Sequence, residues 1–222
     1  MARTKAATFD AQRAAIRDAA TRLFAEKGYA SASIADLARA CGISKALMYH
    51  YYRDKEDLLA DIALSYVDRL ASIVDDVAAQ QLPPAAHLRR LVDAFMAEYE
   101  HSAARHRVLV QDVKYLERAH RGRVLARQRK VVDGFAGVIA QLAPEASRAE
   151  LAKPLTMILF GMINWTFTWL KDEGPVRYAD MAPVVADLFL RGIGAVQPLA
   201  GAAAGGSRRV GRIARRPLPA AA

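Results

Sequence analysis

The chain has 222 residues, 53% hydrophobic and 25% charged, which is enough to bury one large core or two modest ones. Its formal net charge of +9 indicates a polyanionic partner, because phosphate groups attract lysine and arginine. The single cysteine, Cys41, excludes an intramolecular disulfide and fits a reducing compartment, and the N-terminal segment lacks the apolar run of a secretory signal. We therefore expect a cytoplasmic protein.

Strand signals are almost missing, and apolar residues recur at helical spacing along nearly the whole chain, which predicts an all-α fold. A first helix is predicted over residues 9–27 and ends at Gly28, since glycine tolerates the left-handed turn at a helix C-terminus. Ser33 and Asp36 have the spacing of a capping box and predict the start of a second helix, which Gly42 stops.

Two further caps follow at short intervals. Ser44 caps a third helix over residues 45–51, and Asp54 caps a long fourth helix over residues 55–79. The Pro83-Pro84 pair marks the break after it. Five later helices are predicted at about residues 85–101, 104–116, 122–142, 147–170 and 178–196.

One of these later segments has the composition of a short membrane span. The stretch from Pro154 to Leu170 carries no charge over 17 residues, which is the lower limit for crossing a bilayer. It also contains Asn164 and three threonines, and it starts with a proline. A helix buried in a bundle or a dimer explains this composition better, so we expect no membrane partner.

Residues 33–55 have the pattern of a helix-turn-helix unit, in which the second helix enters a DNA major groove. Gly42 supplies the turn, and Lys45 and Ala46 lie at the N-terminal end of the reading helix, where a lysine can donate to guanine O6 and N7. Hydroxyl, ring and ammonium groups nearby suit phosphate oxygens. The predicted DNA-binding residues are Ser33, Ser44, Lys45, Ala46, Leu47, Tyr49, His50, Tyr51 and Lys55. The alternative is an ordinary helical domain whose tyrosines are core residues.

The same residues carry a family resemblance. The N-terminal domain of the tetracycline-repressor (TetR) family is similar to roughly residues 10–65, through the motifs Phe24–Gly28, Ile34-Ala35, Gly42-Ile43-Ser44, Tyr49-His50-Tyr51 and Lys55 with Leu58-Leu59. Ala46 departs from the pattern, because many members have glycine there. The resemblance implies a homodimer whose two reading helices enter successive major grooves, and repression that a small molecule relieves.

The rest of the chain resembles one branch of that family. Residues 160–183, FGMINWTFTWLKDEGPVRYADMAP, look like regulators that respond to acyl- or aryl-coenzyme A thioesters and control fatty-acid, steroid-ring or phenylacetate breakdown. The resemblance thus implies a helix-turn-helix domain over residues 1–57 and a helical ligand-binding and dimerisation domain over residues 58–197. Residues 198–222 are rich in Gly, Ala, Pro and Arg and predict a disordered basic tail, which either adds affinity for DNA phosphates or only solubilises the chain end.

The composition permits a coenzyme A ligand. From Ala103 to Lys130 there are nine Lys and Arg residues against two acids, and the phosphates of coenzyme A need such cations at a pocket mouth. The predicted ligand-binding cations are Arg105, Lys114 and Arg123, and the aromatic residues predicted to line an apolar tunnel are Phe95, Tyr99, Trp165 and Trp169. The alternatives are a solvated charged face, and tryptophans that belong to the core or to a dimer contact.

Three other functions compete with this interpretation. A TetR-type efflux regulator would sense a lipophilic drug-like ligand with buried acids, for which Glu98, Asp112 and Glu117 are candidates. An enzyme is disfavoured, because no nucleophile–base–acid set, no metal-ligand spacing and no cofactor motif is visible. An architectural DNA-binding protein would not need the long body.

For the dimer, we expect the last two predicted helices to form a four-helix bundle with their symmetry mates.

Overall fold

The computed structural model describes residues 2–148, 150–170 and 174–196, and all regular elements in these ranges are helical, which confirms the all-α fold. The first four helices are α1 (Ala2–Lys27), α2 (Ile34–Ala40), α3 (Lys45–Tyr51) and α4 (Lys55–Ala78). The others are α5 (Pro84–His101), α6 (Ala103–Asp112), α7 (Arg118–Leu142), α8 (Pro144–Arg148), α9 (Ala152–Asn164) and α10 (Tyr178–Ile193). Short 3₁₀ turns follow α6 at Val113–Tyr115 and α9 at Thr166–Thr168. We call α1–α3 the head and α5–α10 the body.

The head forms from the local signals that the sequence carries. The Ser33 hydroxyl accepts a hydrogen bond from the Asp36 N–H at 3.1 Å, and the Asp36 carboxylate accepts one from the Ser33 N–H at 3.1 Å, so the predicted capping box is confirmed. Gly42 has a φ of +66°, a left-handed conformation that residues with a side chain rarely adopt. This turn sets α3 across α2 and presents one side of α3 outward.

The long helix α4 joins the head to the body. Its inward face is buried along its length, and the buried side chains of the described residues form one cluster that runs from Leu37 in the head through Ile62 to Phe95 in the body. Helix α7 packs closely along α4, because Gly134 has no side chain where the two helices meet. A Cβ atom built at Gly134 would lie 2.4 Å from Cγ1 of Val74.

We expect Gly134→Ala to lower the free energy of unfolding by about 1–3 kcal/mol, because the added methyl group forces α4 and α7 apart. Chemical denaturation at one fixed protein concentration measures this change. Gly137→Ala on the same helix is the matched control, since nothing lies within 4 Å of a Cβ there and the substitution should be neutral or stabilising. Addition of Val74→Ala should recover part of the loss; a stability of Gly134→Ala equal to wild type would contradict the close approach.

The predicted helix over residues 147–170 is wrong as a single element. Glu150 takes a φ of +60°, and this left-handed residue separates α8 from α9. Pro154 lies in the first turn of α9, where a residue without an N–H is tolerated, whereas a continuous helix would need that N–H for a hydrogen bond. After Asn164 the chain continues as a 3₁₀ turn rather than as α-helix.

None of the described helices is long and apolar enough to span a membrane. The predicted basic tail lies outside the described residues.

Candidate DNA-binding surface and ligand cavity

Helix α3 has one open side and one buried side. Met48 is fully buried against the head core, whereas Lys45, Ala46, Tyr49 and His50 are exposed, with Tyr49 55% exposed. Positions 45, 46, 49 and 50 share one side of a helix because they are one turn apart. The structure therefore brings together four predicted DNA-binding residues on a single outward surface, and Leu47 is exposed beside them.

The two predicted serines both cap helices next to this surface. The Ser44 hydroxyl accepts the N–H of Leu47 at 3.1 Å, which leaves its O–H able to donate to a phosphate. The Ser33 hydroxyl instead donates to Asp36 at 2.6 Å, so its proton is in use within the head. The hydrogen bonds from the Ser33 hydroxyl and N–H hold the pKa of the Asp36 carboxyl below its usual value.

The structure places Tyr51 and Lys55 away from the open side of α3. Tyr51 stacks on Phe9 of α1, with ring centroids 4.6 Å apart. The Lys55 ammonium donates at 2.8 Å to the carbonyls of Tyr29 and Ala32, and it lies 4.3 Å from the Tyr29 ring centroid. Because these carbonyls already occupy the ammonium, the expectation that Lys55 faces a phosphate is corrected: its side chain holds the α1–α2 connection onto α4.

Two arginines flank α3 and were missed by sequence reasoning. Arg39 at the end of α2 and Arg53 after α3 have side chains 79% and 75% exposed. Each forms one surface ion pair, with Asp36 at 3.3 Å and with Asp57 at 3.4 Å. Pairs this exposed are weak and exchange readily for a phosphate. The structure identifies Arg39 and Arg53 as candidates because they flank α3. Their sequence neighbours give no sign that they bind DNA.

A cavity of about 190 Å³ lies between α4 and the body helices α5, α6, α7 and α9. Phe95 and Tyr99, both predicted to line a ligand tunnel, are part of its wall, and most of the remaining lining is aliphatic or aromatic. Two lining residues, Val110 and Met157, are 42% and 57% exposed, so the cavity opens to solvent beside them. No Lys, Arg, Asp or Glu of the described residues lines it.

The polar groups of the cavity wall form a connected cluster. The Tyr99 hydroxyl donates to Oδ1 of Asn164 at 2.6 Å, and Nε2 of His106 lies 3.2 Å from the Asn164 main-chain carbonyl. The rings of Tyr99 and His106 stack with centroids 3.9 Å apart. Burial lowers the pKa of His106 to about 4, so its ring is neutral near pH 7 and its Nε2 donates to the carbonyl. Sequence reasoning did not place His106 or Asn164 at a site.

This depressed pKa makes stability depend on pH. The unfolded chain takes up the His106 proton near its ordinary pKa of 6.5 and the folded chain only near 4, so the stabilisation is complete above about pH 6.5 and is lost as the pH falls toward 4. We expect wild type to lose about 2 kcal/mol more than His106→Gln between about pH 7.5 and about pH 5, measured by denaturation at each pH. Exposed His101→Gln is the control; parallel curves for wild type and His106→Gln would contradict the buried neutral ring.

Five residues predicted to bind ligand lie outside the cavity wall. Arg105 lies in the first turn of α6, which packs against α1, and it pairs with Asp18 of α1 at 2.8 Å. Lys114 and Arg123 are exposed on the outer surface. Trp165 and Trp169 follow the end of α9 and are 62% and 51% exposed, because the cavity side of α9 is formed by residues such as Met157 and Phe160. The placements of Trp165 and Trp169 correct the predicted tunnel, and Arg105, predicted at the pocket mouth, is already paired with Asp18.

Contacts of the body with the head and with the start of α4 come from α6 and the segment that follows it. Besides the Asp18–Arg105 pair, Tyr29 stacks on Tyr115 with centroids 5.3 Å apart. Oε1 of Glu56 lies 2.8 Å from Nδ1 of His120 and accepts the N–H of Glu117 at 3.0 Å. The Glu56 and His120 side chains are only 16% and 13% exposed. Since α6 also lines the cavity through His106, the same helix contacts both the cavity and the head.

An exposed apolar surface lies on α9 and α10. Ile158 and Trp165 project from one side of α9 and its end, and Val184 and Leu188 from α10, each between 45% and 62% exposed. A monomer in water rarely leaves so many large apolar side chains together on neighbouring helices. We call these four residues the α9–α10 surface.

Known families match both parts of the chain. Residues 16–62 match the bacterial regulatory proteins of the tetR family, and residues 81–193 match the tetracyclin repressor-like C-terminal domain. The HTH-type transcriptional repressor KstR2 of Rhodococcus jostii is 24% identical over 185 residues, which cover 82% of this chain and 91% of KstR2.

Solved structures share the fold. A TetR-family transcriptional regulator from Bordetella parapertussis is 35% identical with a TM-score of 0.76, covering 83% of this chain and 97% of that one. AibR in complex with isovaleryl coenzyme A and operator DNA is 24% identical with a TM-score of 0.68, covering 84% and 98%. Such proteins are transcriptional regulators rather than enzymes. The matched families and the Bordetella structure together cover head and body, and the chain therefore belongs to the TetR family of helix-turn-helix transcriptional regulators.

Proposed function

We propose that this regulator is a repressor that binds operator DNA as a homodimer and is released by an acyl- or aryl-coenzyme A thioester, so that it controls genes of fatty-acid, steroid or phenylacetate breakdown. The observation that carries the proposal is the uncharged wall of the cavity. A thioester places a neutral acyl or aryl group in such a cavity while its charged coenzyme A part stays outside.

The uncharged wall weighs against a lipophilic cation as effector. A buried cation needs an acid nearby, since an unpaired charge is costly to bury. The three candidate acids lie elsewhere: Glu98 accepts Nε of Arg69 at 3.0 Å, Glu117 is exposed, and Asp112 is absent from the cavity wall. The efflux-type alternative therefore has no acid to use among the described lining residues.

Exposed cations on or next to two of the cavity-lining helices favour an anionic group outside the cavity. The exposed cations Lys114, Arg121 and Arg123 follow α6 and begin α7, and Gln128, two turns after Arg121, lines the cavity. These exposed cations are able to pair with the phosphates of coenzyme A. AibR, which has the same fold, was solved with isovaleryl coenzyme A.

A thermal-shift screen tests the effector class. Acyl- and aryl-coenzyme A thioesters of several chain lengths are compared with coenzyme A alone and with the free acids. We expect stabilisation by at least one thioester that grows with its concentration over its Kd, and little by either control. Stabilisation by lipophilic cations and by none of the thioesters would support the efflux-type alternative.

The α9–α10 surface supports the proposed homodimer. Its exposed side chains lie on the two helices that were expected to form a four-helix bundle across a two-fold axis. Pairing would remove them from water, and a two-fold dimer would hold two copies of α3 about 34–36 Å apart, as successive major grooves require.

Lys45 and Tyr49 should have separable effects on DNA binding. We expect Lys45→Ala to relax preference at one or two base positions and to cost about 1–3 kcal/mol on the operator, because lysine can read guanine. Tyr49→Phe should weaken binding to all DNA sequences alike, because the tyrosine hydroxyl suits a phosphate. Fluorescence anisotropy on an operator selected from a random library, and on random duplex, measures both. Equal losses for Lys45→Ala on operator and random DNA would remove its base-reading role.

A further inference from the structure

The side chain of Asn164 is oriented by a single short hydrogen bond. Its Oδ1 accepts the Tyr99 hydroxyl at 2.6 Å, and both residues line the cavity. A carboxamide has one acceptor oxygen and one NH₂ group with two donors. Because the oxygen is bound to Tyr99, the Nδ2 group is the part of Asn164 that remains available for a ligand.

The rest of Asn164 is also held in place. Its main-chain carbonyl accepts from Nε2 of His106 at 3.2 Å, and the His106 ring stacks on Tyr99 at 3.9 Å between centroids. Within the described part of the chain, no group accepts a hydrogen bond from Nδ2 of Asn164. A donor that is fixed in orientation and has no protein partner selects for a ligand acceptor, because leaving it unpaired in a complex is unfavourable.

The surroundings of Asn164 decide which acceptor suits it. The lining residues Phe95, Leu109 and Phe160 are at most 7% exposed and apolar, whereas Asn164 is half-buried at the end of α9. A carboxylate at this place would lack a cation among the described lining residues, so a free acid is disfavoured. A carbonyl oxygen accepts the same hydrogen bond without carrying a charge.

Resting on the proposed function, we infer that Asn164 donates a hydrogen bond from Nδ2 to the carbonyl oxygen of the effector thioester. The acyl or aryl group then lies among the apolar side chains, and the sulfur side leads out of the cavity. Tyr99 is a positioning residue, since it presents the correct end of the carboxamide. The effector is thus recognised as a neutral carbonyl compound and not merely as an apolar chain.

A pair of ligands that differ only in the carbonyl tests this inference. The tightest-binding acyl-coenzyme A from a panel of isovaleryl-, hexanoyl- and stearoyl-coenzyme A is compared with the S-alkyl-coenzyme A thioether of the same chain by isothermal titration calorimetry on the full chain. We expect wild type to prefer the thioester about tenfold, which corresponds to one net hydrogen bond between neutral groups.

Variants of the cavity wall locate the effect. Asn164→Leu should remove the preference by weakening the thioester alone, and Asn164→Asp, which can still accept the Tyr99 hydroxyl, should weaken the thioester at least as much because it offers no donor. Tyr99→Phe should reduce the preference by releasing the carboxamide. Gln128→Leu removes the other carboxamide of the wall and should keep the preference unchanged.

The outcomes separate this inference from the proposed function. Equal binding of thioester and thioether by wild type, or loss of the preference in Gln128→Leu but not in Asn164→Leu, overturns the carbonyl recognition and leaves a thioester effector standing. Equal weakening of both ligands in Asn164→Leu would reduce Asn164 to a structural role. Binding of none of the coenzyme A compounds overturns the proposed function itself, and the inference with it.

Discussion

A variant carrying Ile158→Glu and Leu188→Glu is expected to sediment as a monomer at micromolar concentration and to lose about 10²–10⁴ in affinity for its operator. The two side chains are 59% and 62% exposed on the α9–α10 surface, so charges there should leave the monomer folded while preventing apolar pairing. The loss in affinity follows because a dimer engages two half-sites and a monomer only one. Analytical ultracentrifugation and fluorescence anisotropy measure the two effects.

The matched control is Leu125→Glu, which places the same charge on an exposed apolar residue of α7, a helix that carries none of the four residues of that surface. It should remain dimeric and bind the operator as wild type does. A double variant that stays dimeric would show that the protomers pair through another surface. A monomer with wild-type operator affinity would contradict the requirement for two copies of α3.

Glu56→Ala is expected to uncouple effector binding from DNA release. Glu56 at the start of α4 bonds both the His120 ring and the Glu117 N–H of the body, and the pair with His120 is largely buried. Effector binding in the body can move the head only through contacts that differ between the two conformations. Typical coupling of this kind changes affinity about 5–150-fold. We expect the ratio of operator affinities without and with thioester to fall toward one in the variant, while thioester affinity stays within a few-fold of wild type.

Isothermal titration calorimetry for the thioester and anisotropy for the operator separate these quantities. Exposed Glu26→Ala in the head is the control and should keep the wild-type ratio. An unchanged ratio in Glu56→Ala would show that coupling passes through other contacts, such as the stack of Tyr29 on Tyr115.

Most helix ends in the head could be predicted from sequence almost to the residue, because local chemistry sets them, but α1 begins at Ala2 and not at the predicted residue 9. Ser33, Gly42, Ser44 and Asp54 act on backbone groups one to three residues away, and the third helix has its predicted bounds at Lys45–Tyr51. The break at Glu150 had no such signal, because a glutamate rarely takes a left-handed φ, although the turn is closed locally by the Leu151 N–H donating to the Ala146 carbonyl at 2.9 Å. Helix ends are therefore readable where the residue types that favour them are present.

The sites were predicted less well than the fold. An apolar residue has the same helical period whether it faces a core, a cavity or a partner, so Phe95 and Trp165 looked equivalent although only Phe95 lines the cavity. Lys55 and Arg105 were predicted to face a phosphate or a ligand, yet each binds groups of the head. Such pairings depend on which helices pack together, and amino-acid composition carries no information about that.

The most direct test of the whole account is an anisotropy titration of the operator-bound protein with acyl- and aryl-coenzyme A thioesters, with the matching free acids and coenzyme A as controls. We expect at least one thioester to release the DNA in a saturable manner, at concentrations set by its Kd, while the controls leave the complex intact. A complex that no thioester dissociates, although a lipophilic cation does, would contradict the proposed effector class.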